Sequence, residues 1–363
     1  MRLDVEAAIV RGELVPGDVD VVDGVVTAVG LATAARGRVA VPGFVDLQVN
    51  GYGGVDFLSA STADYEVAGA ALLEGGVTAY QPTFITAPES ALHEALRAVP
   101  VNGSFPRVVG AHVEGPFLSP ERLGTHPLEH RRDPDLDLLD RLLDTGRVTE
   151  VTLAPELPGA DVLIGRLLER GVVVSAGHTN ATAGQANAAF DLGISTVTHI
   201  FNAMRPFRSR DPGVAGVALT RRDVYVQMIV DGHHLADETV RLIWAAAGGR
   251  VALVSDATAG AAGNGGTYQL GDIAIAVSDG VPVREDGVLA GTVLTMIDAV
   301  RNLHALGIGF EDAVGAATSV PARIIGRTDL GVLEPGGQAD VVVLDDSLEI
   351  VRVVCGGEAR VVA

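Results

Sequence analysis

The sequence predicts an α/β fold in which eight parallel strands, each followed by a helix, close into a (β/α)8 barrel, or TIM barrel. Three observations lead to this prediction. Eight apolar segments recur along the 363 residues, stretches with apolar residues at helical spacing separate most of them, and several of these stretches end at glycine. The eight segments are residues 43–50, 77–84, 108–116, 148–155, 172–179, 196–204, 224–234 and 251–258.

The segments are rich in valine and isoleucine and almost continuously apolar, as strands buried on both faces are. The stretches between them carry the helical pattern. DPDLDLLDRLLDTG (133–146) and ADVLIGRLLERG (160–171) are examples, and each closes on glycine. Alternation of these two patterns predicts the barrel.

The two ends of the chain differ from the middle. Residues 1–40 and 330–363 are predicted to form short strands with turns, and neither segment has enough apolar residues for a core of its own. We therefore expect them to pair into one composite β-sandwich domain beside a barrel of residues 41–329. A hairpin insertion is predicted at about 259–291, between the eighth strand and its helix.

Composition excludes several kinds of protein. The net charge of −20, from 26 basic and 46 acidic residues, argues against a nucleic-acid partner, because phosphate backbones need a basic surface. The absence of an apolar run of 18 residues predicts no membrane span, and the absence of a signal-peptide pattern predicts a cytoplasmic location. The single cysteine, Cys355, is expected to be buried in a strand.

The chain contains no lysine. This excludes a Schiff-base lysine, a P-loop lysine and a carboxylated lysine that bridges two metal ions.

Three potential metal ligands stand at the ends of predicted strands. Glu114, His178 and His199 end the third, fifth and sixth strands. The carboxyl ends of barrel strands carry the active sites of such folds, so the three side chains are expected to meet. One carboxylate and two imidazoles suit a catalytic Zn²⁺ with an open coordination position, and Fe²⁺ also accepts this set. Taken singly, each residue is better explained as a hydrogen-bonded polar group in the core or at the barrel rim. All three at matching strand ends favour the metal site.

Two further residues are candidates for catalysis. Asp256 ends the eighth strand in VSDA, where it is suited to accept and return a proton, although an aspartate there can also cap a helix. His126 lies in the loop ERLGTHPLEH after the third strand, where it is suited to stabilise a developing oxyanion. A solvated loop histidine is the alternative for this residue.

Arginines and histidines follow two of the strands. Arg205, Arg208 and Arg210 come after His199, and His233 and His234 come after the seventh strand. Such residues beside a site bind phosphate or carboxylate, but loop arginines are also commonly solvated.

Taken together, these motifs resemble the amidohydrolase superfamily, and more narrowly the family of N-acetylglucosamine-6-phosphate deacetylases. The combination of HVEGP, GHT, THIFNAM and SDA is specific to that family, whereas PGFVD and PGGQADVVVLD mark the superfamily alone. The resemblance covers nearly the whole chain. It implies metal-dependent hydrolysis of the acetamide of N-acetylglucosamine 6-phosphate to glucosamine 6-phosphate and acetate.

The resemblance also implies roles for individual residues. Glu114, His178 and His199 would hold the metal, Asp256 would be the base that later protonates the departing amine, and His126 would polarise the acetamide carbonyl. The sugar phosphate would be held by the backbone of Asn202 and Ala203 together with His234 and Arg210. Since a phosphate-binding arginine crosses a dimer interface in this family, a homodimer is expected.

The sequence departs from the superfamily pattern on the first strand, where the usual His-x-His is Gln48-Val49-Asn50. Amides are poor ligands for transition metals, and no lysine is present to bridge a pair, so one metal ion is predicted. Three alternatives stay open: deacetylation of another acetamido sugar phosphate such as the galactosamine epimer, a metal-dependent deaminase of a heterocycle, and a non-catalytic barrel.

Overall fold

The barrel is built from eight parallel strands. A computed structural model describes residues 1–101, 103, 106–263 and 265–362 of the chain. In chain order, barrel strands one to eight are Phe44–Val49, Val77–Phe84, Ala111–Glu114, Val148–Leu153, Val173–Ala176, Thr196–Val197, Tyr225–Met228 and Val251–Leu253. Each strand pairs in parallel with the next, and a short strand, Arg107–Val108, also pairs with strand two. This confirms the predicted α/β barrel.

Strand eight returns to strand one just beyond its last regular residue. A parallel bridge joins Val49 to Ala257, and the backbone N–H of Asn50 donates to the Ala257 carbonyl at 2.7 Å. The strand ends that carry Asn50 and Asp256 are therefore brought side by side, although about 200 residues separate them along the chain.

Ten α-helices surround the barrel within the described residues: Asp64–Glu74, Glu89–Ala98, Leu136–Leu143, Ala160–Glu169, Ala183–Leu192, Gly213–Thr220, Asp237–Ala247, Met296–Ala305, Phe310–Ala317 and Ser319–Ile324. Two 3₁₀ turns, Leu128–His130 and Gly248–Arg250, lie between them. Local sequence explains several helix starts. The Asp135 carboxylate accepts from the Leu138 N–H, and Thr182 and Gln185 form a reciprocal capping box. Among the described residues, every helix is too short or too polar to cross a membrane.

The terminal segments form antiparallel-rich sheets beside the barrel. One sheet has the strand order Glu13–Pro16, Ala7–Val10, Arg38–Pro42, Val341–Asp345, Ile350–Cys355 and Glu358–Val362, and Asp18–Val22 pairs with Val25–Leu31 in a second sheet. A separate core, to which both ends of the chain contribute, includes Leu3, Val21, Val341 and Val354. The small β domain predicted as part of the fold is confirmed, while its limits at residues 40 and 330 stay a prediction. Cys355 is fully buried in its strand, as expected.

Between the eighth strand and its helix, three strands form an antiparallel sheet: Gly266–Leu270, Ile273–Ser278 and Val281–Val283. Leu270, Ile275 and Ala290 pack with Ile85, which follows barrel strand two. The Thr125 hydroxyl donates to the Leu289 carbonyl at 2.8 Å, which ties the segment to the loop after barrel strand three. The insertion thus covers one side of the barrel mouth.

Barrel strands five to eight are shorter than their apolar segments, and they end before the polar residues that the sequence singles out. His178, His199 and Asp256 all adopt left-handed backbone conformations, with φ of 48°, 29° and 49°. A strand cannot continue through such a residue, so the chain turns there and the side chain is presented at the barrel mouth.

Candidate active site

Glu114, His178 and His199 converge at the carboxyl ends of their strands. Both imidazole Nε2 atoms lie 3.0 Å from Glu114 Oε1, and they lie 3.1 Å from each other. All three side chains are buried. Among the described residues, they form the one cluster of three or more histidine, cysteine, aspartate or glutamate side chains whose ligand atoms lie within 4.8 Å of one another.

The protonation state of His178 is determined by its neighbours. Its Nδ1 lies 2.9 Å from the carbonyl oxygen of Arg122, which can only accept, so Nδ1 carries the proton. Burial, followed by the charge of His126, lowers the pKa of His178 to about 4. The ring is therefore neutral at pH 7, and its unprotonated Nε2 faces Glu114 Oε1.

This arrangement fits a cation. A lone pair on His178 Nε2 and a carboxylate oxygen 3.0 Å away repel each other unless positive charge lies between or beside them. Burial opposes ionisation of Glu114, but the surrounding imidazoles, that of His126 first, hold its pKa well below its usual range, so the carboxylate is ionised. The donor set suits a divalent metal ion, and the carbonyl partner of His178 is the kind that orients metal-ligating histidines.

His126 lies against this cluster with the opposite tautomer. The Thr86 backbone N–H donates to His126 Nδ1 at 3.2 Å, so the proton of a neutral ring is on Nε2. His126 Nε2 lies 3.7 Å from Glu114 Oε2, and its ring centre is 4.3 Å from that of His178. His126 therefore presents a hydrogen-bond donor at the cluster, as stabilisation of an oxyanion requires.

Asp256 is held by two amides of barrel strand one. Asn50 Nδ2 donates to Asp256 Oδ1 at 2.7 Å, and Gln48 Nε2 donates to the same oxygen at 3.1 Å. Gln48 Nε2 also lies 3.4 Å from Glu114 Oε1. Burial, reinforced by the charge of Glu114, raises the pKa of Asp256 to about 6, close to the range in which a general base works at neutral pH.

A cavity of about 270 Å³ brings most of these residues together. Its lining comprises Asn50, Ile85, Glu114, Gly124, Thr125, His126, His178, His199, Asn202, Ala203, His234, Asp256, Leu270, Val288, Leu289 and Gly291. Eight of the nine residues that the sequence proposes for the site are in this set. The insertion supplies an apolar side through Leu270, Val288 and Leu289.

Arg210 is the ninth proposed residue, and the structure places it elsewhere. It is exposed on the loop after strand six and does not line the cavity. In the same loop Arg208 pairs through its backbone with Asp211, and Phe207 is 55% exposed.

On the wall of the cavity formed by Asn202, Ala203 and His234, the Asn202 N–H donates to the His199 carbonyl at 3.0 Å. Within the described part of the chain, the Ala203 N–H has no protein acceptor. His234 is oriented by Asp231, whose Oδ2 lies 2.7 Å from His234 Nδ1. Burial opposes ionisation of Asp231, yet the hydrogen bond from His234 brings its pKa down to about 2.

Sequence reasoning did not find Asp231, Thr86 or the Arg122 carbonyl as supports of the site. Asp231 begins the segment DGHH, three residues before His234, so its spacing offered a signal. Thr86 and Arg122 act through backbone atoms and contacts between distant segments, for which the sequence carries no pattern.

Comparison with known proteins agrees with this geometry. The model of the amidohydrolase family matches residues 39–360. The chain belongs to the amidohydrolase family. It is 37% identical over 341 residues to human N-acetylglucosamine-6-phosphate deacetylase, covering 89% of this chain and 83% of the relative. It is 33% identical to an N-acetylgalactosamine-6-phosphate deacetylase of Escherichia coli O157:H7, covering 93% of each chain.

A solved structure is similar over 98% of each chain, with a TM-score of 0.94 and 35% identity. It is an aspartate-to-alanine variant of N-acetyl-D-glucosamine-6-phosphate deacetylase from Mycobacterium smegmatis, in complex with N-acetyl-D-glucosamine 6-phosphate. Membership of this family and the buried Glu114, His178 and His199 cluster together indicate a divalent metal.

Proposed function

We propose that this amidohydrolase removes the acetyl group of N-acetylglucosamine 6-phosphate, releasing glucosamine 6-phosphate and acetate. The observation that carries the proposal is the convergence of Glu114, His178 and His199 with Asp256 and His126 in one buried cavity. The names of the relatives supply the substrate, since they act on the acetamide of an amino-sugar phosphate. We expect the reaction to take place in the cytoplasm.

Glu114, His178 and His199 would hold one metal ion, for which Zn²⁺ is our first choice and Fe²⁺ the second. When bound, the ion supplies Lewis-acid chemistry by withdrawing electron density from oxygen atoms of water and of the acetamide carbonyl. The amides of Gln48 and Asn50 lie where the superfamily pattern has imidazoles, and they are engaged with Asp256. A single ion is therefore proposed.

Asp256 performs both proton transfers in this proposal. Its carboxylate accepts a proton from the water that attacks the carbonyl carbon, and it then gives that proton to the nitrogen as the carbon–nitrogen bond breaks. The acyl carbon keeps the water oxygen with its second proton and leaves as acetic acid, whose proton then passes to the amine. The products are an ammonium group and acetate, so atoms and charge balance. His126 donates from Nε2 to the carbonyl oxygen as negative charge develops there.

The phosphate would bind at the other end of the cavity. The Ala203 N–H and the Nε2 of His234 lie there without a hydrogen-bond partner among the described residues, and Asn202 lines the same wall. Arg210 is exposed away from its own cavity, and a homodimer in which Arg210 reaches the cavity of the second subunit would give it a role in phosphate binding. We propose this dimer together with the activity.

One experiment tests the proposal. Purified protein is stripped of metal with a chelator, reconstituted with Zn²⁺ or Fe²⁺ singly, and assayed for acetate release from N-acetylglucosamine with and without the 6-phosphate. We expect activity after reconstitution with about one ion per chain, and a kcat/KM for the phosphorylated sugar at least 100-fold higher than for the other. Equal activity on both sugars would refute the phosphate assignment, and ammonia release would indicate a deaminase.

The galactosamine epimer is a second candidate, favoured by the similarity to the N-acetylgalactosamine-6-phosphate deacetylase. The two substrates differ in the orientation of one hydroxyl, and a site that hydrogen-bonds that hydroxyl discriminates strongly between them. The ratio of kcat/KM values for the two epimers decides between the candidates.

A further inference from the structure

The loop after barrel strand three lies over the metal-ligand candidate His178. The Arg122 carbonyl accepts from His178 Nδ1 at 2.9 Å, and the Ser119 N–H donates to the His178 carbonyl at 2.9 Å. A Cβ placed on Gly124 would lie 3.4 Å from His178 Cε1, so the loop passes directly across the imidazole edge. The same loop carries His126. Its position therefore sets the orientation of two site residues at once.

Asn180, two residues after His178, fastens this loop. Arg122 Nε and Nη2 both donate to Asn180 Oδ1 at 3.2 Å, and Asn180 Nδ2 donates to Glu121 Oε2 at 2.6 Å. The single amide thus binds two consecutive residues of the loop through its acceptor and its donor. Arg122 carries the carbonyl that orients His178, and Glu121 directly precedes it in the loop.

Glu156 anchors Asn180 to the barrel. The Asn180 backbone N–H donates to Glu156 Oε1 at 2.6 Å, and Glu156 Oε2 accepts from the Thr179 hydroxyl at 2.5 Å. Glu156 follows barrel strand four, so the Asn180 amide is fixed to the barrel and not merely to the loop. Asn180 is thus bonded to the barrel through Glu156 and to the loop through Arg122. This arrangement can hold the Arg122 carbonyl in one direction.

We propose that Asn180 is a positioning residue: by clamping Glu121 and Arg122, it holds the Arg122 carbonyl against His178 Nδ1 and keeps His178 Nε2 free to bind the metal. This inference rests on the metal centre of the proposed function, but not on its substrate. Outer partners of metal-ligating histidines typically contribute 10–100-fold to metal affinity. Asn180 acts one contact further out, so its loss is expected to weaken Zn²⁺ binding about tenfold.

The test measures Zn²⁺ affinity by competition with a chromophoric chelator, without substrate. Asn180→Ala should raise the Zn²⁺ dissociation constant about tenfold, and excess Zn²⁺ should recover most of its kcat. Asn187→Ala is the matched control, because Asn187 lies on the next helix and its side chain bonds only the Ala183 carbonyl among the described residues. It should retain wild-type affinity. Wild-type affinity in Asn180→Ala would overturn the proposal.

Two further variants keep the test decisive if Asn180→Ala folds poorly. Asn180→Asp keeps the acceptor for Arg122 but sets a carboxylate against Glu121, so it should weaken Zn²⁺ binding, and addition of Glu121→Gln should restore it. Arg122→Ala should weaken binding by a similar factor and show little further loss when combined with Asn180→Ala. Fully additive losses, or no rescue by Glu121→Gln, would refute the clamp. If these affinities change as expected but no acetate is released, only the proposed activity fails.

Discussion

Gln48 and Asp256, which lie 208 residues apart in sequence, are joined by a 3.1 Å hydrogen bond across the seam of the barrel. The same Gln48 nitrogen lies 3.4 Å from Glu114. An amide thus stands between the candidate base and the candidate metal ligand, and it donates to both. Neutral donors keep two buried carboxylates close together where the superfamily pattern would place imidazoles and a second cation.

The first prediction concerns Asp256. Asp256→Asn should lower kcat for acetate release about 1,000-fold, since general acid–base catalysis contributes roughly 10²–10⁴-fold. Metal content should remain at the wild-type value, because Asp256 is outside the Glu114, His178 and His199 cluster. Asp237→Asn, an exposed aspartate at the start of a helix, is the control. An unchanged kcat in Asp256→Asn would show that Asp256 is not the general base.

The second prediction concerns Asn50, which makes the shortest amide contact to Asp256. Asn50→Ala should reduce kcat about tenfold with little change in KM, because a hydrogen bond to a charged group contributes about 1.5–3 kcal/mol and its loss lets the carboxylate turn. Steady-state kinetics and metal analysis of the variant check this. A large change in KM with kcat intact would indicate that Asn50 binds the sugar instead.

The third prediction concerns Asp231. Asp231→Asn removes the carboxylate that orients His234, so kcat/KM for the phosphorylated sugar should fall about tenfold through KM. Activity on the unphosphorylated sugar, measured at high concentration, should be unaffected. Parallel losses on both sugars would show that His234 does not act on the phosphate.

The fourth prediction concerns stability and pH. Glu150 lies in the barrel core, where Gln227 donates to it at 2.7 Å, and burial raises its pKa to about 8 from the ordinary 4.5. Between pH 4.5 and 8 the folded protein keeps this proton while the unfolded chain releases it. Glu150 therefore makes the free energy of unfolding fall as pH rises, by about 1.4 kcal/mol per pH unit.

Glu150→Gln removes this dependence, since glutamine carries no ionisable proton. Denaturant unfolding of both proteins at pH 5, 6, 7 and 8 should show the variant gaining stability relative to the wild type as pH rises. Glu169→Gln, at an exposed helix end, is the control and should show no such trend. A constant difference across the four pH values would mean that Glu150 is already ionised in the fold.

From the sequence, the site residues that could be predicted are those that lie at the ends of strands. Glu114, His178, His199 and Asp256 each follow a buried apolar run, and parallel closure of the barrel makes such ends meet. Their supports could not be predicted. Asn180 and Arg122 look like ordinary loop residues, and their importance arises from contacts that form only when separate segments fold together. The position of Arg210 outside its own cavity could not be predicted for a related reason. The sequence of a single chain does not specify what an exposed loop will face.

The left-handed conformations of His178, His199 and Asp256 have a consequence for the protein's evolution and engineering. Each side chain is held in a backbone region that costs a non-glycine residue of the order of 1 kcal/mol, and glycine would enter that region without strain. Selection for heat resistance alone would therefore favour substitutions at three positions to which the proposed mechanism assigns a role. Libraries screened for stability should keep these three codons fixed, because the substitutions that relax the backbone there would also remove the side chains that the proposed mechanism uses.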